Sequence, residues 1–205
     1  MSNWIPVPAI HLTGETIDLI PLDIKHFSEL EMLAKDKRIW EFYPFDCSNS
    51  EKFRNIYKTA LTEKDAGNQY PFVIFHKKDN RIIGSTRFLE MQQKHRKLEI
   101  GATWVHPDYW GTAVNQECKL LLLTYSFETL QAIRIQLKTN EKNIRSCKAI
   151  EKIGGKLEGI LRHDMLCDNG TKRNSAYFSI IDSEWKEKKL RLEELYRLKK
   201  HESVG

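Results

Sequence analysis

Between Trp104 and Leu130 the chain passes from the end of a β-rich stretch, through a tight turn of small and polar residues, straight into a long apolar run. The turn is Trp110-Gly111-Thr112-Ala113-Val114-Asn115, and Leu120 to Leu123 lie one helical turn further on. Strand, turn and helix with no linker commit the chain to layered α/β packing around a mixed sheet. A helix start leaves backbone N–H groups without intrahelical partners and carries the positive end of the macrodipole, so a close turn there suits a diphosphate. The same unit is also an ordinary connection in any α/β protein.

The rest of the chain alternates in keeping with that class. Thr16 to Ile20 alternates as a first strand, and Leu22, Phe27, Leu30 and Leu33 are spaced for a helix running to Ala34. After the polar cluster from Asp46 to Ser50, a second helix carries Phe53, Ile56, Tyr57 and Leu61 on one face until Gly67. Tyr70 to His76 and Arg81 to Glu90 form a hairpin around Lys78-Asp79-Asn80, and Leu98 to Val105 is the next strand. A helix from about Ala113 to Leu130, a strand from Ile133 to Lys138 and a helix from about Asn143 to Gly154 follow. Residues 156 to 167 and 172 to 181 make a last hairpin whose turn, Asp168-Asn169-Gly170-Thr171, holds a strong Asn-Gly signal. From Ser183 a highly charged helix begins, with Trp185, Leu190, Leu192 and Leu195 as its apolar contacts.

The 205 residues show no composition shift, so residues 1–205 are expected to form a single domain, with 1–12 as an N-terminal extension and 183–205 as a charged helix and tail. The 33 basic and 28 acidic residues are mixed along the chain, which does not supply the concentrated basic patch a DNA or RNA binder needs. Cys47, Cys118, Cys147 and Cys167 stand apart, with no C-x-x-C pair and no metal-ligand spacing, and read as free thiols of a reducing compartment. The start lacks a signal-peptide pattern and no apolar run approaches a membrane span, so the expectation is cytoplasmic, with no membrane partner. Monomer and homo-oligomer are both open.

About thirty residues beyond the loop, Ile133 to Thr139 leads into Asn140-Glu141-Lys142-Asn143-Ile144-Arg145-Ser146, and then Gly155, Glu158, Gly159 and Arg162 follow the next helix. This order resembles the GNAT superfamily of acyl-CoA-dependent N-acetyltransferases, and within it the RimJ/RimL-like branch that acetylates ribosomal-protein N-termini. The resemblance rests on Trp110-Gly111, Asn143 with Ser146, and the Gly155 to Arg162 stretch, and it spans roughly residues 12 to 185. It implies a mixed, mostly antiparallel sheet flanked by helices and splayed between its fourth and fifth strands. The implied chemistry is transfer of an acetyl group from acetyl-CoA, as cosubstrate, to a primary amine of a protein N-terminus or a small molecule, by direct attack in a ternary complex.

Within that resemblance each residue has a role to fill. An acceptor ammonium must lose a proton before it attacks. Glu99, in Leu98-Glu99-Ile100-Gly101, matches the family's Glu-Ile-Gly carboxylate, although an alternating strand also puts a Glu on its polar face. His95, His106 and His163 are the runners-up because their ordinary pKa lies near neutrality. Backbone donors of Thr103, Trp104 and Val105 are implied for the thioester carbonyl, and Trp110, Gly111, Thr112, Ala113, Val114 and Asn115 for the pyrophosphate. Asn140 is implied among the cofactor contacts, Asn143 at the pantetheine arm and Ser146 at the departing sulfur, while helix capping is the alternative use of an Asn and a Ser at a helix start. No metal ligand is implied. Trp40, Phe42, Tyr43, Phe45, Tyr70, Arg87, Glu90, His163 and Asp164 are candidates for the acceptor side.

The loop departs from the family's Gly-x-Gly-x-Gly/Ala form at Ala113 and Asn115. Alanine is tolerated at Ala113 if φ is negative and costs about 1 kcal/mol or more if φ is positive. A degraded loop would leave a non-catalytic CoA- or protein-binding module as the alternative.

Overall fold

The computed structural model describes Trp4 and residues 9–202. Its strands are β1 (Leu12–Thr13), β2 (Ile17–Pro21), β3 (Tyr70–His76), β4 (Arg81–Gln92), β5 (Lys97–Val105), β6 (Arg134–Asn140), β7 (Lys156–Leu166) and β8 (Lys172–Ile181). They form one sheet in the order β1-β2-β3-β4-β5-β6-β8-β7. Every pairing is antiparallel except that of β5 with β6. Among the described residues five α-helices flank it: α1 (Phe27–Ala34), α2 (Ser50–Asp65), α3 (Val114–Thr124), α4 (Ile144–Lys152) and α5 (Asp182–Glu202).

The parallel pair is the opening that shapes the molecule. β5 meets β6 only at Lys97–Arg134, Leu98–Ile135 and Glu99–Gln136. Beyond those positions β5 continues against β4 and β6 against β8, so the two strands diverge with Glu99 at the point where they part. The splay falls one strand later than the sequence count because the two-residue β1 escaped pattern reading. β5 also carries an extra residue opposite β4, where Ser85 faces Trp104 and Arg87 faces Gly101. Ala102 sits in that bulge with φ +46, a left-handed conformation that L residues rarely adopt.

Two apolar clusters hold the layers. One joins the sheet to α3, α4 and α5 through Ile17, Phe72, Ile100, Cys118, Leu122, Leu123, Ile135 and Phe178. The other packs α1 and α2 on the opposite face around Leu30, Trp40, Phe53, Tyr57, Val73 and Trp104. Trp4 lies in the first cluster and its indole N–H donates to the Leu130 carbonyl. Most of the expected extension 1–12 lies outside the described residues, as do 203–205, but Trp4 and Ile10 belong to the core.

α5 folds back on its own chain. Trp185 stacks on Phe127 at 5.1 Å, and Leu192 and Tyr196 are also buried. The apolar contact expected of Leu190 does not form, since it is 63% exposed. The buried positions 185, 192 and 196 follow a seven-then-four spacing that defines one helical face, and position 190 falls off it. α3 stops at Thr124 and continues as a π-helical turn, Tyr125–Thr129, so the predicted single helix to Leu130 is interrupted in its last turn. No described helix is long and apolar enough to cross a membrane.

α3 is anchored by a buried acid. Glu117, 2% exposed, accepts the backbone N–H groups of Glu15 (2.5 Å), Thr16 (3.0 Å) and Ile17 (3.0 Å) in the turn entering β2. A Cβ on Gly14 would stand 2.5 Å from Glu117 Oε1, so the turn closes on the carboxylate only with glycine there.

Candidate active site

A cleft of about 510 Å³ runs from the Gly111 turn along β5 into the splay and out to an aromatic rim. α3 begins at its outer end. Among the described residues no side chain caps Ala113, the N-cap of α3; the nearest substitute is a long 3.4 Å contact from the Val114 N–H to Thr112 Oγ1. α2 and α4, by contrast, are capped by Asn49 and Asn143. An uncapped helix start facing a cleft is a built site for an anion.

The turn fits that use. Gly111 has φ +77, and a methyl placed there would meet nothing within 4 Å, so glycine serves the backbone conformation rather than space. Ala113 has φ −71, so the methyl that replaces the family's glycine strains nothing. Its side chain and that of Val114 are buried in the core and do not line the cleft, whereas Trp110, Gly111, Thr112, Asn115 and Gln116 do. Trp110 donates through its indole N–H to the Val105 carbonyl at 3.0 Å and carries the Arg145 guanidinium 3.7 Å above its ring. Arg145, absent from the sequence expectations, thereby ties α4 across the mouth of the cleft to the loop.

Further in, Thr103, Trp104 and Val105 line the wall, while the Trp104 indole turns away and donates to Tyr57 Oη in the second core. Asn143 and Ser146 both face the cleft from α4. The capping role is realised, since Asn143 Oδ1 accepts the Ser146 N–H at 3.0 Å, and this leaves the Asn143 amide N–H₂ and the Ser146 hydroxyl without partners among the described residues. Asn140 does not line the cleft; its side chain accepts the Lys142 N–H within the turn.

Glu99 is 4% exposed and stands at the junction of two hollows. One is the main cleft; the other is a polar hollow of about 320 Å³ along β5, β6 and β8 that includes Glu90, Lys97, Arg134 and Tyr177. Its Oε2 accepts from Gln136 Nε2 at 2.8 Å and lies 3.5 Å from Lys138 Nζ, so the carboxylate is fixed and charge-compensated rather than merely on a solvated face. None of the histidine runners-up lines either hollow. His95 is exposed, His163 lies on β7 with φ +52, and His106 contacts Asp108 and Asp36.

At the inner end Phe42, Tyr43, Pro44 and Phe45 form the rim with Leu89, Met165 and Arg173. Tyr43 Oη donates to the Thr103 carbonyl at 2.7 Å, and the Asp168 N–H donates to the Pro44 carbonyl, so the rim is clamped between β5 and the last hairpin. Trp40 and Tyr70 are core residues instead: Trp40 donates to the Ala34 carbonyl, and Tyr70 Oη accepts the Ile10 N–H. Arg87 is buried over the Tyr57 ring, away from the cleft. Asp164 accepts from Tyr177 Oη at 3.0 Å; burial and that carboxylate push the Tyr177 phenol up to about 12.

Comparison with known proteins bears on the family and the fold. The family model described as an acetyltransferase (GNAT) domain matches residues 17–156. A Bacillus subtilis (strain 168) protein named "Putative ribosomal N-acetyltransferase YdaF" is 26% identical over 188 residues, covering 87% of this chain and 96% of that protein. A GCN5-related N-acetyltransferase from Brucella melitensis superposes with TM-score 0.83 at 22% identity, covering 92% of this chain and 86% of that one. RimL, a ribosomal L7/L12 α-N-protein acetyltransferase solved in complex with coenzyme A, superposes with TM-score 0.73 at 18% identity over 85% of this chain and 99% of its own.

Proposed function

We infer the reaction from one premise: the chain belongs to the GNAT acetyltransferase family. It is an acetyl-CoA-dependent N-acetyltransferase, and acetyl-CoA supplies the activated acetyl thioester. The acceptor we propose is the α-amine of a polypeptide N-terminus, which places the chain in the RimJ/RimL-like branch. The "ribosomal" name of the relative matched over 87% of this chain and the likeness to RimL support that choice.

The observation that carries the reading is Glu99, a buried carboxylate where the donor cleft, the rim and the polar hollow meet. It takes the proton that an ammonium acceptor must lose, directly or through one water, while Gln136 and Lys138 hold it in place. The first turn of α3, with Thr112, Asn115 and Gln116, holds the pyrophosphate, and backbone N–H groups of β5 beyond the Ala102 bulge polarise the thioester carbonyl. Asn143 Nδ2 serves the pantetheine arm, and the Ser146 hydroxyl stands ready to protonate the departing sulfur. With Ala113 at φ −71 its methyl adds no backbone strain to the donor loop, which supports turnover over a binding-only module.

An acceptor screen by thiol release tests the substrate class. N-terminal peptides acetylated at the α-amine, with the same peptides blocked there inert, are the expected result. Turnover confined to polyamines or other small amines would refute the peptide assignment while leaving the acetyltransferase intact.

A further inference from the structure

Lys119 projects from α3 into the cleft, is only 6% exposed, and donates from Nζ to Thr103 Oγ1 at 2.7 Å, which in turn lies 2.7 Å from Thr86 Oγ1. Among the described residues no carboxylate stands within 4 Å of it, whereas Lys138, the other lysine of the cleft, is paired with Glu99. Burial holds its pKa below that of an ordinary lysine. A buried ammonium without a counter-ion is costly, and an apolar side chain of similar size at the same place would be more stable. An anion forming in the cleft beside Nζ would supply the missing partner and favour the charged form.

Position decides which anion. Thr103 lies one residue past the Ala102 bulge, on the inner side of Val105 and toward Glu99, while the Gly111 turn and the start of α3 lie at the outer end of β5. A diphosphate on α3 is served by backbone donors at that outer end, so the anion beside Thr103 is the transient one at the acyl group.

We propose that Lys119 is a catalytic residue that holds its ammonium against the thioester carbonyl and stabilises the oxyanion of the tetrahedral intermediate, an assignment that rests on reading the cleft as the acetyl-CoA site. The neutral amine nitrogen attacks the carbonyl carbon, and the C=O π pair moves onto oxygen, where Lys119 faces it. The pair then returns, the C–S bond breaks, and the proton shed by the new amide nitrogen balances protonation of the thiolate. Lys119 stays protonated throughout. Positive charge preorganised in a low-dielectric site acts where charge develops.

The test uses Lys119→Met and Lys119→Arg, with kcat from thiol release, acetyl-CoA affinity by calorimetry and the thermal midpoint of each protein. The expected result for Lys119→Met is a loss of about 100-fold or more in kcat, acetyl-CoA affinity within about threefold of wild type, and a midpoint equal or higher. Lys119→Arg keeps the charge and is expected to recover part of the lost rate. A lower midpoint in Lys119→Met, marking a structural role, overturns the assignment, as does an unchanged kcat. Weakened binding with unchanged kcat also overturns it, because that split marks a ground-state anchor. Wild-type protein that binds no acetyl-CoA would instead overturn the reading of the cleft, and does so before any variant is made.

Discussion

Replacing Glu117 by alanine should remove more stability than any other single change near the cleft. Its carboxylate is the acceptor for three consecutive backbone N–H groups, those of Glu15, Thr16 and Ile17, in a turn that α3 covers. Truncation leaves these donors without a partner at a site that is 2% exposed in the native protein. An orphaned buried donor costs about 1–3 kcal/mol; the Ile17 bond is buried, whereas those of Glu15 and Thr16 are only partly so and water can replace their acceptor, so the loss amounts to about 2–4 kcal/mol. For a domain of this size each kcal/mol moves the thermal midpoint by about 2–4 °C, giving a drop of about 4–16 °C. Glu117→Gln keeps one acceptor oxygen and should fall between wild type and alanine. Gly14→Ala should act in the same direction, because its methyl would collide with the carboxylate. Thermal and urea unfolding followed by circular dichroism give the comparison. A loss under about 1 kcal/mol for Glu117→Ala would refute the claim that this carboxylate anchors α3 to β2.

Other consequences follow from the same geometry. Gly111→Ala, forced into φ +77, should cost about 1 kcal/mol and weaken acetyl-CoA binding by about fivefold as measured by calorimetry; unchanged affinity would remove the turn from the donor site. Cys147→Ala should leave kcat within about twofold of wild type, since burial raises the thiol pKa and direct attack needs no covalent cysteine; an acyl-protein intermediate trapped on Cys147 would contradict this. Glu158, paired with Arg134 and accepting from Ser179 Oγ, is held down at about 2 against an ordinary 4.5. A depressed folded-state value stabilises above pH 4.5 and is lost as pH falls toward 2, so Glu158→Gln should flatten the acid limb of the stability profile. The pair is partly exposed, which limits the effect to about 1 kcal/mol. An acid limb of unchanged slope would remove the pair from the account of acid stability.

The strands were legible because their residues alternate or run apolar between turn residues: Tyr70–His76 and Lys172–Ile181 stand where pattern put them. β1 was not, since two residues carry no period. The sign of φ at Ala113 decides whether its methyl strains the turn, and composition cannot carry a sign. Glu117 and Lys119 are charged residues of a helix whose sequence carries no mark of burial, yet both are buried, one anchoring a turn and the other lining the cleft. A charged residue's burial depends on what the tertiary structure lays over it, which no local window contains. Arg145 above Trp110 is a contact between segments 35 residues apart and was hidden for the same reason. Glu99 was found through its neighbours Ile100 and Gly101, but its partners Gln136 and Lys138 became visible only when β6 was laid beside β5.

Calorimetric titration of the wild-type protein and of Glu99→Gln with acetyl-CoA, each followed by thiol release in the presence of a peptide amine, tests both the donor cleft and the role of Glu99. Both proteins should bind acetyl-CoA at micromolar concentration, with turnover reduced by about 100-fold or more in the variant alone. No binding by the wild type at millimolar acetyl-CoA, or equal turnover by the two proteins, would contradict this expectation.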